Sequence, residues 1–271
     1  MPCGLIAFAA ADGPATTAKS PYVYAFNTFP MDLKELENGV NPETHWYYQS
    51  KKLPLFFYAE RLLNSGHPLT IVDVGAGSGF FALELEKHYR ASIAKVYLVD
   101  IGYSAEEIAS TKGQKIEKVV AIPSVIENAL VLLMDVLEHL PDDLAMLQSI
   151  KEACVGTNNY FFITVPAFQS LWSGHDVFLG HYRRYRIPML RQVLEKAKFR
   201  HISNYYLYGS LFSPIWAVRR LSNLSKKEAA SNMRPAHPVI NRLLLGLTSV
   251  EMKFTTANKL FGVTCVGQGQ I

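Results

Sequence analysis

The chain has few cysteines and no long apolar run. Its three cysteines, Cys3, Cys154 and Cys265, are widely spaced and form no C-x-x-C pair. This argues against a disulfide framework or a zinc site and favours reduced thiols in a cytosolic protein. No run of about 18 apolar residues occurs, so we expect no membrane-spanning helix. The short apolar segment 4–11 has no Lys or Arg before it, which argues against a secretory signal. These absences predict a cytoplasmic location.

Acidic residues are scarce in the C-terminal third. Residues 181–271 contain 15 basic and 3 acidic side chains, whereas residues 1–180 contain 12 basic and 20 acidic ones. A basic segment of this kind favours an anionic partner, such as a phosphate-bearing substrate, an acidic membrane surface or nucleic acid, or it is a solvated face without a partner. The composition, 49% hydrophobic and 18% charged among 271 residues, is that of a packed globular protein.

The most informative stretch is residues 71–81, an apolar run followed by three glycines at every second position. Ile71–Val74 is typical of a buried parallel strand, and Phe80 begins a helical pattern. A strand that ends in glycines before a helix exposes backbone N–H groups and lets a ligand approach closely. Phe80 stands where a dinucleotide-binding G-x-G-x-x-G turn has its third glycine. Asp73 would repel a pyrophosphate but suits a cationic ligand.

Two later strands are predicted to end in an acidic residue. The first covers residues 95–100 and ends in Asp100, which can accept hydrogen bonds from ribose hydroxyls or else cap the next helix. The second ends in Asp135, and Glu138 and His139 follow it where the next helix opens. Further strands are expected over residues 119–122, 160–166, 202–207 and 261–266.

The loop after the fifth predicted strand alternates polar and aromatic residues. Arg183 and Arg184 can form bidentate pairs with phosphate or carboxylate. His175 or His181 can accept a proton from an acceptor hydroxyl, as can His139 from the preceding strand tip. The pattern does not indicate which histidine acts, and a structural role is the alternative for each.

Several of these motifs resemble those of the class I S-adenosylmethionine-dependent methyltransferases. The D-x-G-x-G-x-G segment 73–79 resembles the first motif of that class, and residues 132–143 resemble its fourth-strand motif. The loop 166–185 resembles that of a subset often tied to glycan or lipid modification, and the aromatic cluster before Lys51 and Lys52 resembles its entry segment. The resemblance covers roughly residues 41–266.

The resemblance implies an α/β, Rossmann-like fold: a seven-stranded, mostly parallel sheet with helices on both faces and a helical insertion before the last strand. It also implies one methyltransferase domain over residues 41–271, after an N-terminal arm over residues 1–40, with a helical cap over about residues 209–260.

The resemblance further implies the cofactor, S-adenosylmethionine, with S-adenosylhomocysteine as product, and assigns site residues. The cofactor-binding residues are Asp73, Gly75, Ala76, Gly77, Gly79, Asp100, Ile101, Asp135 and Val136. The substrate-binding residues are Glu138, Trp172, Arg183, Arg184 and Tyr185, and the candidate bases are His139, His175 and His181. In the entry segment a basic side chain, here Lys51 or Lys52, meets the cofactor's carboxylate. This chemistry requires no metal, and no cluster of metal ligands appears in the sequence, so we expect no metal site.

The implied reaction is methyl transfer to a small-molecule, sugar or lipid-linked acceptor, which can be anionic. Arg219, Arg220, Lys226 and Lys227 lie in or beside the apolar cap segments and allow peripheral membrane contact. Two alternatives stay open at this point, a nicotinamide-dependent oxidoreductase and a non-catalytic S-adenosylmethionine-binding protein. A nucleic-acid methyltransferase is disfavoured because no Asn/Asp-Pro-Pro-aromatic signature follows the fourth strand. We therefore expect no nucleic-acid partner, and the sequence does not predict an oligomeric state.

Overall fold

The structure is a computed structural model that describes residues 39–63, 68–224 and 235–271. The predicted N-terminal arm therefore lies outside the described residues except for Gly39 and Val40. The division into an arm and a single methyltransferase domain stays a prediction.

A seven-stranded sheet forms the centre of the molecule, with the strand order β3-β2-β1-β4-β5-β7-β6. Strands β1 to β5 run parallel to one another, and β7 is antiparallel to both of its neighbours, β5 and β6. This confirms the predicted fold class. The strands are β1 (Leu69–Val74), β2 (Ile93–Val99), β3 (Ile116–Val119), β4 (Ala129–Met134), β5 (Asn159–Pro166), β6 (Arg200–Leu207) and β7 (Thr264–Gln270).

Helices cover both faces of the sheet because successive strand residues point to opposite sides. Val72 and Val131 pack with one set of helices, α4 and α6, whereas Ile71 and Leu130 pack with α1 and α2. The α-helices are α1 (Trp46–Leu63), α2 (Phe80–His88), α3 (Ala105–Thr111), α4 (Asp143–Ala153), α5 (Gly174–Leu179), α6 (Ile187–Lys196), α7 (Gly209–Leu224) and α8 (Pro238–Met252).

The predicted helical insertion is present as α7 and α8, which lie between β6 and β7 in the chain. The side chain of Asn241 on α8 accepts a hydrogen bond from the backbone N–H of Trp46 at 2.8 Å and donates one to the carbonyl of Thr44. The second inserted helix therefore packs at the start of α1. Among the described helices, none combines the length and the apolar character that crossing a membrane requires.

Two predicted strands were misplaced. The third strand ends rather than begins at Val119, and the last begins at Thr264 and runs to Gln270 instead of covering residues 261–266. Residues 267–270 are glycine-rich and polar, a pattern that favours a loop. In the structure a Cβ atom at Gly269 would lie 2.7 Å from the carbonyl oxygen of Arg200. Glycine is therefore part of a closely packed strand here, which local propensity does not indicate.

Candidate active site

The glycine turn between β1 and α2 has the geometry that its sequence predicts. Gly75, Gly77 and Gly79 all have positive φ, at 71°, 53° and 75°. An added Cβ would lie 2.8 Å from Val136 at Gly75 and 2.8 Å from Leu98 at Gly79. Only glycine meets both the backbone and the packing requirement at these two positions.

Asp100 lies directly after β2 and ties that strand tip to the glycine turn. One carboxylate oxygen accepts a hydrogen bond from the backbone N–H of Gly77 at 2.9 Å, and the other accepts one from Gly102 at 2.8 Å. The hydroxyl of Tyr103 donates to the carbonyl of Gly77 at 2.7 Å, a contact that sequence reasoning missed. Ile101, the next residue after Asp100, is exposed, so its side chain is accessible to the adenine ring predicted to bind there. Asp100 therefore occupies the place expected of a ribose-binding carboxylate.

Asp135 follows β4 with a φ of 60°, an uncommon angle for a residue with a side chain. Its carboxylate forms an ion pair with the buried Lys51 of α1 and accepts hydrogen bonds from Tyr47 at 3.3 Å and Thr164 at 2.9 Å. Burial by itself would raise the pKa of Asp135. The positive charge of Lys51 and the hydrogen bonds from Lys51 and Thr164 outweigh this effect and hold the pKa below its usual value. Lys52 instead pairs with Glu84 at 2.7 Å. Of the two predicted lysines, only Lys51 contacts this strand tip.

A second polar group lies just beyond Asp135, where a turn of 3₁₀ helix, Leu137–His139, places Glu138 and His139. His181 packs against His139 with ring centroids 4.5 Å apart, and one ligand atom from each of the three side chains lies within 4.8 Å of the other two. Glu138 is fully buried, and burial together with the charge of Asp135 raises its pKa well above the usual value. Within the described part of the chain, neither of its carboxylate oxygens has a hydrogen-bond partner. We call these three residues the Glu–His cluster.

Asp176 on α5 holds His181 in place. Its carboxylate lies 2.9 Å from Nδ1 of His181 and 2.7 Å from Nε of Arg184, and it is buried. Burial raises the pKa of Asp176, but the hydrogen bond from His181 and the charge of Arg184 outweigh it and keep the pKa below its usual range. An ionised carboxylate only accepts hydrogen bonds, so Nδ1 of His181 carries the proton and Nε2 is left toward the cluster.

Several predicted substrate contacts are instead internal. Arg184 is buried between Asp176 and the carbonyl of Ala167, and the hydroxyl of the buried Tyr185 donates to Asp143 at 2.6 Å. Arg183 also pairs with Asp143, at 3.1 Å. Arg184 and Tyr185 therefore help to position the loop. The side chain of Arg183 is 27% exposed, and its role in substrate binding stays a prediction.

His175 and Trp172 are the two remaining residues of this loop that were predicted to lie in the site. Burial and the charge of Arg219 lower the pKa of His175 to about 4, so this side chain is neutral but weakly basic near pH 7. Trp172, which follows the 3₁₀ turn Gln169–Leu171, is half-buried. The low pKa makes His175 a weak candidate base, and the catalytic roles of His139 and His181 stay predictions.

The residues present fit a cationic cofactor. Because β2, β1 and β4 are neighbours and parallel, Asp100 and Asp135 lie at the same edge of the sheet with the buried Asp73 between them. The glycine turn provides a close backbone approach at the same edge. The Rossmann-like sheet and this row of carboxylates define a class I methyltransferase.

Comparison with known families identifies the chain more closely. A family model described as a methyltransferase domain matches residues 46–204. The chain therefore belongs to this methyltransferase domain family and is an S-adenosylmethionine-dependent methyltransferase. The oxidoreductase hypothesis is thereby excluded. A search of curated proteins found no match.

Solved structures of other methyltransferases are similar to the chain at low identity. An S-adenosylmethionine-dependent methyltransferase from Archaeoglobus fulgidus is 16% identical, with a TM-score of 0.49, over 89% of this chain and 99% of the other. Phosphoethanolamine N-methyltransferase 2 from Haemonchus contortus, in complex with S-adenosylmethionine, is 13% identical, with a TM-score of 0.45, over 75% and 49%. The 1,6-didemethyltoxoflavin-N1-methyltransferase from Burkholderia thailandensis is 19% identical, with a TM-score of 0.41, over 56% and 67%.

Proposed function

We propose that the protein transfers the methyl group of S-adenosylmethionine to a hydroxyl oxygen of a lipid-linked acceptor, such as a lipid-linked sugar. The observation that carries this proposal is the pairing of a buried polar cluster at the tip of β4 with an exposed apolar surface on the helices above it. The cytoplasmic location and the absence of a nucleic-acid partner stay predictions.

The polar end of the site supports a hydroxyl acceptor. When bound, the cofactor would supply an electrophilic methyl group on its sulfonium sulfur. Transfer to the acceptor oxygen would form a C–O bond and break the C–S bond, with S-adenosylhomocysteine as the leaving group. A hydroxyl must lose its proton in this reaction, unlike a free amine with an available lone pair. The Glu–His cluster, with one buried and two partly buried side chains, lies beside Asp135 and can accept that proton, and Asp176 orients its His181. Alignment of the two reactants at such a site contributes about 7–11 kcal/mol to catalysis.

The helical cap supports an apolar portion of the acceptor. Arg219 on α7 forms an ion pair with Asp176 at 3.8 Å, so α7 lies directly beside the residue that orients His181. α8 packs at the start of α1, whose Lys51 contacts Asp135. The two helices therefore flank both sides of the acceptor end.

The outer side of this cap is apolar. The exposed large apolar residues in and just after the two helices are Trp216, Val218, Leu221, Val239, Ile240, Leu243, Leu247, Val250, Phe254, Leu260 and Phe261. Five of them, from Val239 to Val250, recur at helical spacing on α8. An apolar patch of this kind marks an interaction surface. The excess of basic residues in this third of the chain favours a membrane surface with anionic lipid.

Vesicle binding and acceptor profiling test this function together. The full-length protein is mixed with phosphatidylcholine vesicles that contain or lack phosphatidylglycerol, at low and high salt. We expect binding to the anionic vesicles, weakened by salt, and several-fold weaker binding of the L243S/L247S variant of α8. A matched control, V125S, changes an exposed apolar residue outside the cap and should bind normally.

Labelled S-adenosylmethionine is then supplied with lipid-linked sugars, free sugars, lipid phosphates and quinone-like phenols. Transfer to a lipid-linked hydroxyl supports the proposal. Transfer only to free sugars, with no vesicle binding, contradicts the lipid-linked class. Cofactor binding with no transfer to any of these acceptors contradicts the proposed acceptor class.

A further inference from the structure

We infer that Glu138, His139 and His181 form a binding site for a divalent first-row transition ion at the acceptor end of the active site. The Glu–His cluster brings two imidazole nitrogens and a carboxylate oxygen within 4.8 Å of one another. No local sequence motif joins them, because His181 comes from the loop between α5 and α6 and the other two come from the turn after β4.

The donor geometry is close to that of a metal site. Metal–ligand bonds of about 2.0–2.2 Å place neighbouring ligand atoms about 3–4 Å apart. No separation in the cluster exceeds 4.8 Å, so side-chain shifts of about 1 Å bring the three ligand atoms to this spacing. Two histidines and one carboxylate are a common donor set for zinc and for non-haem iron, and they leave open positions on the ion.

The buried Glu138 is the observation that points to a cation. Among the described residues, nothing donates a hydrogen bond to either of its carboxylate oxygens, although the side chain is fully buried. An unsatisfied buried polar group costs about 1–3 kcal/mol, and more when it is charged. Nε2 of His181, on a side chain that is only 5% exposed, likewise has no hydrogen-bond partner in the described chain. A bound ion would satisfy both groups at once.

The surroundings are those of a metal-binding histidine. Asp176 accepts a hydrogen bond from Nδ1 of His181 and thereby leaves the Nε2 lone pair for a ligand. A carboxylate behind the histidine is the usual arrangement in metal sites and fixes the orientation of the ring. Asp176 is itself buried and paired with Arg184 at 2.7 Å, so the carboxylate behind His181 is held from a second side.

The nearby cations do not oppose ion binding. Lys51 is paired with Asp135, and Arg184 is paired with Asp176. The remaining acidic group of the cluster is Glu138, which would become an anionic ligand by releasing its proton when an ion binds. Nitrogen ligands disfavour magnesium and calcium, which prefer oxygen, so the site is suited to Zn²⁺, Co²⁺, Fe²⁺ or Mn²⁺.

The role of the ion rests on the proposed function, although its binding does not. An acceptor hydroxyl on an open position of the ion would have a lowered pKa and would lose its proton to water before the methyl transfer. His181 would then act as a ligand rather than as the base.

The site is tested by metal binding to the full-length protein after chelation and removal of the chelator. Calorimetric titration with Zn²⁺ should give one strong site per chain, and Co²⁺ should develop visible absorption bands of a nitrogen- and oxygen-ligated ion. Mg²⁺ should bind far more weakly. The H181A, H139A and E138Q variants should each lose at least about 10-fold in Zn²⁺ affinity, and D176N, which removes the orienting carboxylate, should lose about 10–100-fold.

His201→Ala is the matched control, because His201 is an exposed histidine outside the cluster and this variant should bind Zn²⁺ normally. S-adenosylmethionine affinity shows that each variant is folded. If a variant does not fold, anomalous diffraction from a Zn²⁺-soaked wild-type crystal should place the ion between the three side chains.

The inference is overturned if the wild type has no strong site, or if H139A and H181A bind Zn²⁺ with the same affinity as the wild type. If no ion binds and a hydroxyl is still methylated, the metal site fails and the proposed function stands. If the ion binds and only other acceptor groups are methylated, the site stands and the proposed function fails.

Discussion

Gly79 and Gly113 have nearly the same backbone angle but different surroundings. Their φ values are 75° and 74°, in the region that disfavours any residue with a Cβ. A Cβ at Gly79 would lie 2.8 Å from Leu98, whereas a Cβ at Gly113 would have nothing within 4 Å. The pair therefore separates the cost of backbone strain from the cost of packing.

We expect Gly79→Ala to destabilise the protein more than Gly113→Ala. Both variants carry the backbone cost of about 1 kcal/mol, and Gly79→Ala adds about 1–3 kcal/mol because Leu98 must move. Urea unfolding followed by circular dichroism measures the difference. Gly79→Ala should also weaken S-adenosylmethionine binding in calorimetry, because Leu98 and the glycine turn shift together, whereas Gly113→Ala should not. Equal losses of stability in the two variants would contradict the packing argument.

At the scale of the elements, one side chain joins the two inserted helices. Glu251 near the end of α8 accepts hydrogen bonds from the backbone N–H of Gly209 at 2.5 Å and from the hydroxyl of Ser210. Gly209 begins α7, where backbone N–H groups have no partner within the helix and where a negative charge is favourable. The carboxylate thus links α7 to α8 and holds the cap together.

Removal of this link should loosen the cap. We expect Glu251→Ala to lower the free energy of unfolding by about 1–2 kcal/mol, because a charged cap and its hydrogen bonds are lost. Hydrogen exchange measured by mass spectrometry should accelerate in α7 first. Glu195→Ala is the control, since Glu195 forms an exposed pair with Arg191 within a single helix and should change stability by about 0.5 kcal/mol or less. Unchanged exchange in α7 of the Glu251→Ala variant would show that the cap is held by other contacts.

At the scale of the whole molecule, Cys265 reports on the opening of the sheet. It lies in β7, paired with Val165 of β5 on one side and Tyr206 of β6 on the other, and it is buried. Burial raises the pKa of this thiol to about 12. Only the thiolate reacts with labelling reagents. In the native protein Cys265 should therefore react slowly for two reasons, because burial excludes the reagent and because the raised pKa keeps the thiol protonated.

We therefore expect Cys265 to react only after global unfolding. In a C3S/C154S variant, which retains this one thiol, labelling with an aromatic disulfide at pH 8 should be slower than that of the unfolded chain by about three orders of magnitude or more. The rate should rise with urea in step with the loss of helical circular dichroism. Rapid labelling before the unfolding transition would instead show that the β5–β7–β6 edge opens locally.

Local sequence was sufficient to place the strand ends at which we expect the cofactor. The glycine turn, Asp100 and Asp135 lie where they were predicted, because each position depends on one strand, its end and the residues that follow. Their roles in cofactor binding stay predictions. The resemblance to class I methyltransferases predicted the mostly parallel sheet and the inserted helices. The local sequence pattern misplaced β7, because Gly267 and Gly269 resemble loop residues when only their neighbours in the chain are considered. In the fold both glycines are suited to close packing against β6.

Only the tertiary structure decided the acceptor half. It turned Arg184 inward to Asp176 and used Asp176 to orient His181. It also placed His181 beside Glu138 and brought Lys51 to Asp135. These partners are distant in sequence, and their contacts depend on strand order and on how α1, α5 and α7 pack over the sheet edge. A residue pattern records which chemical groups are present, whereas the partner of each buried charge is set by the fold, because an unpaired charge in the interior is too costly to leave.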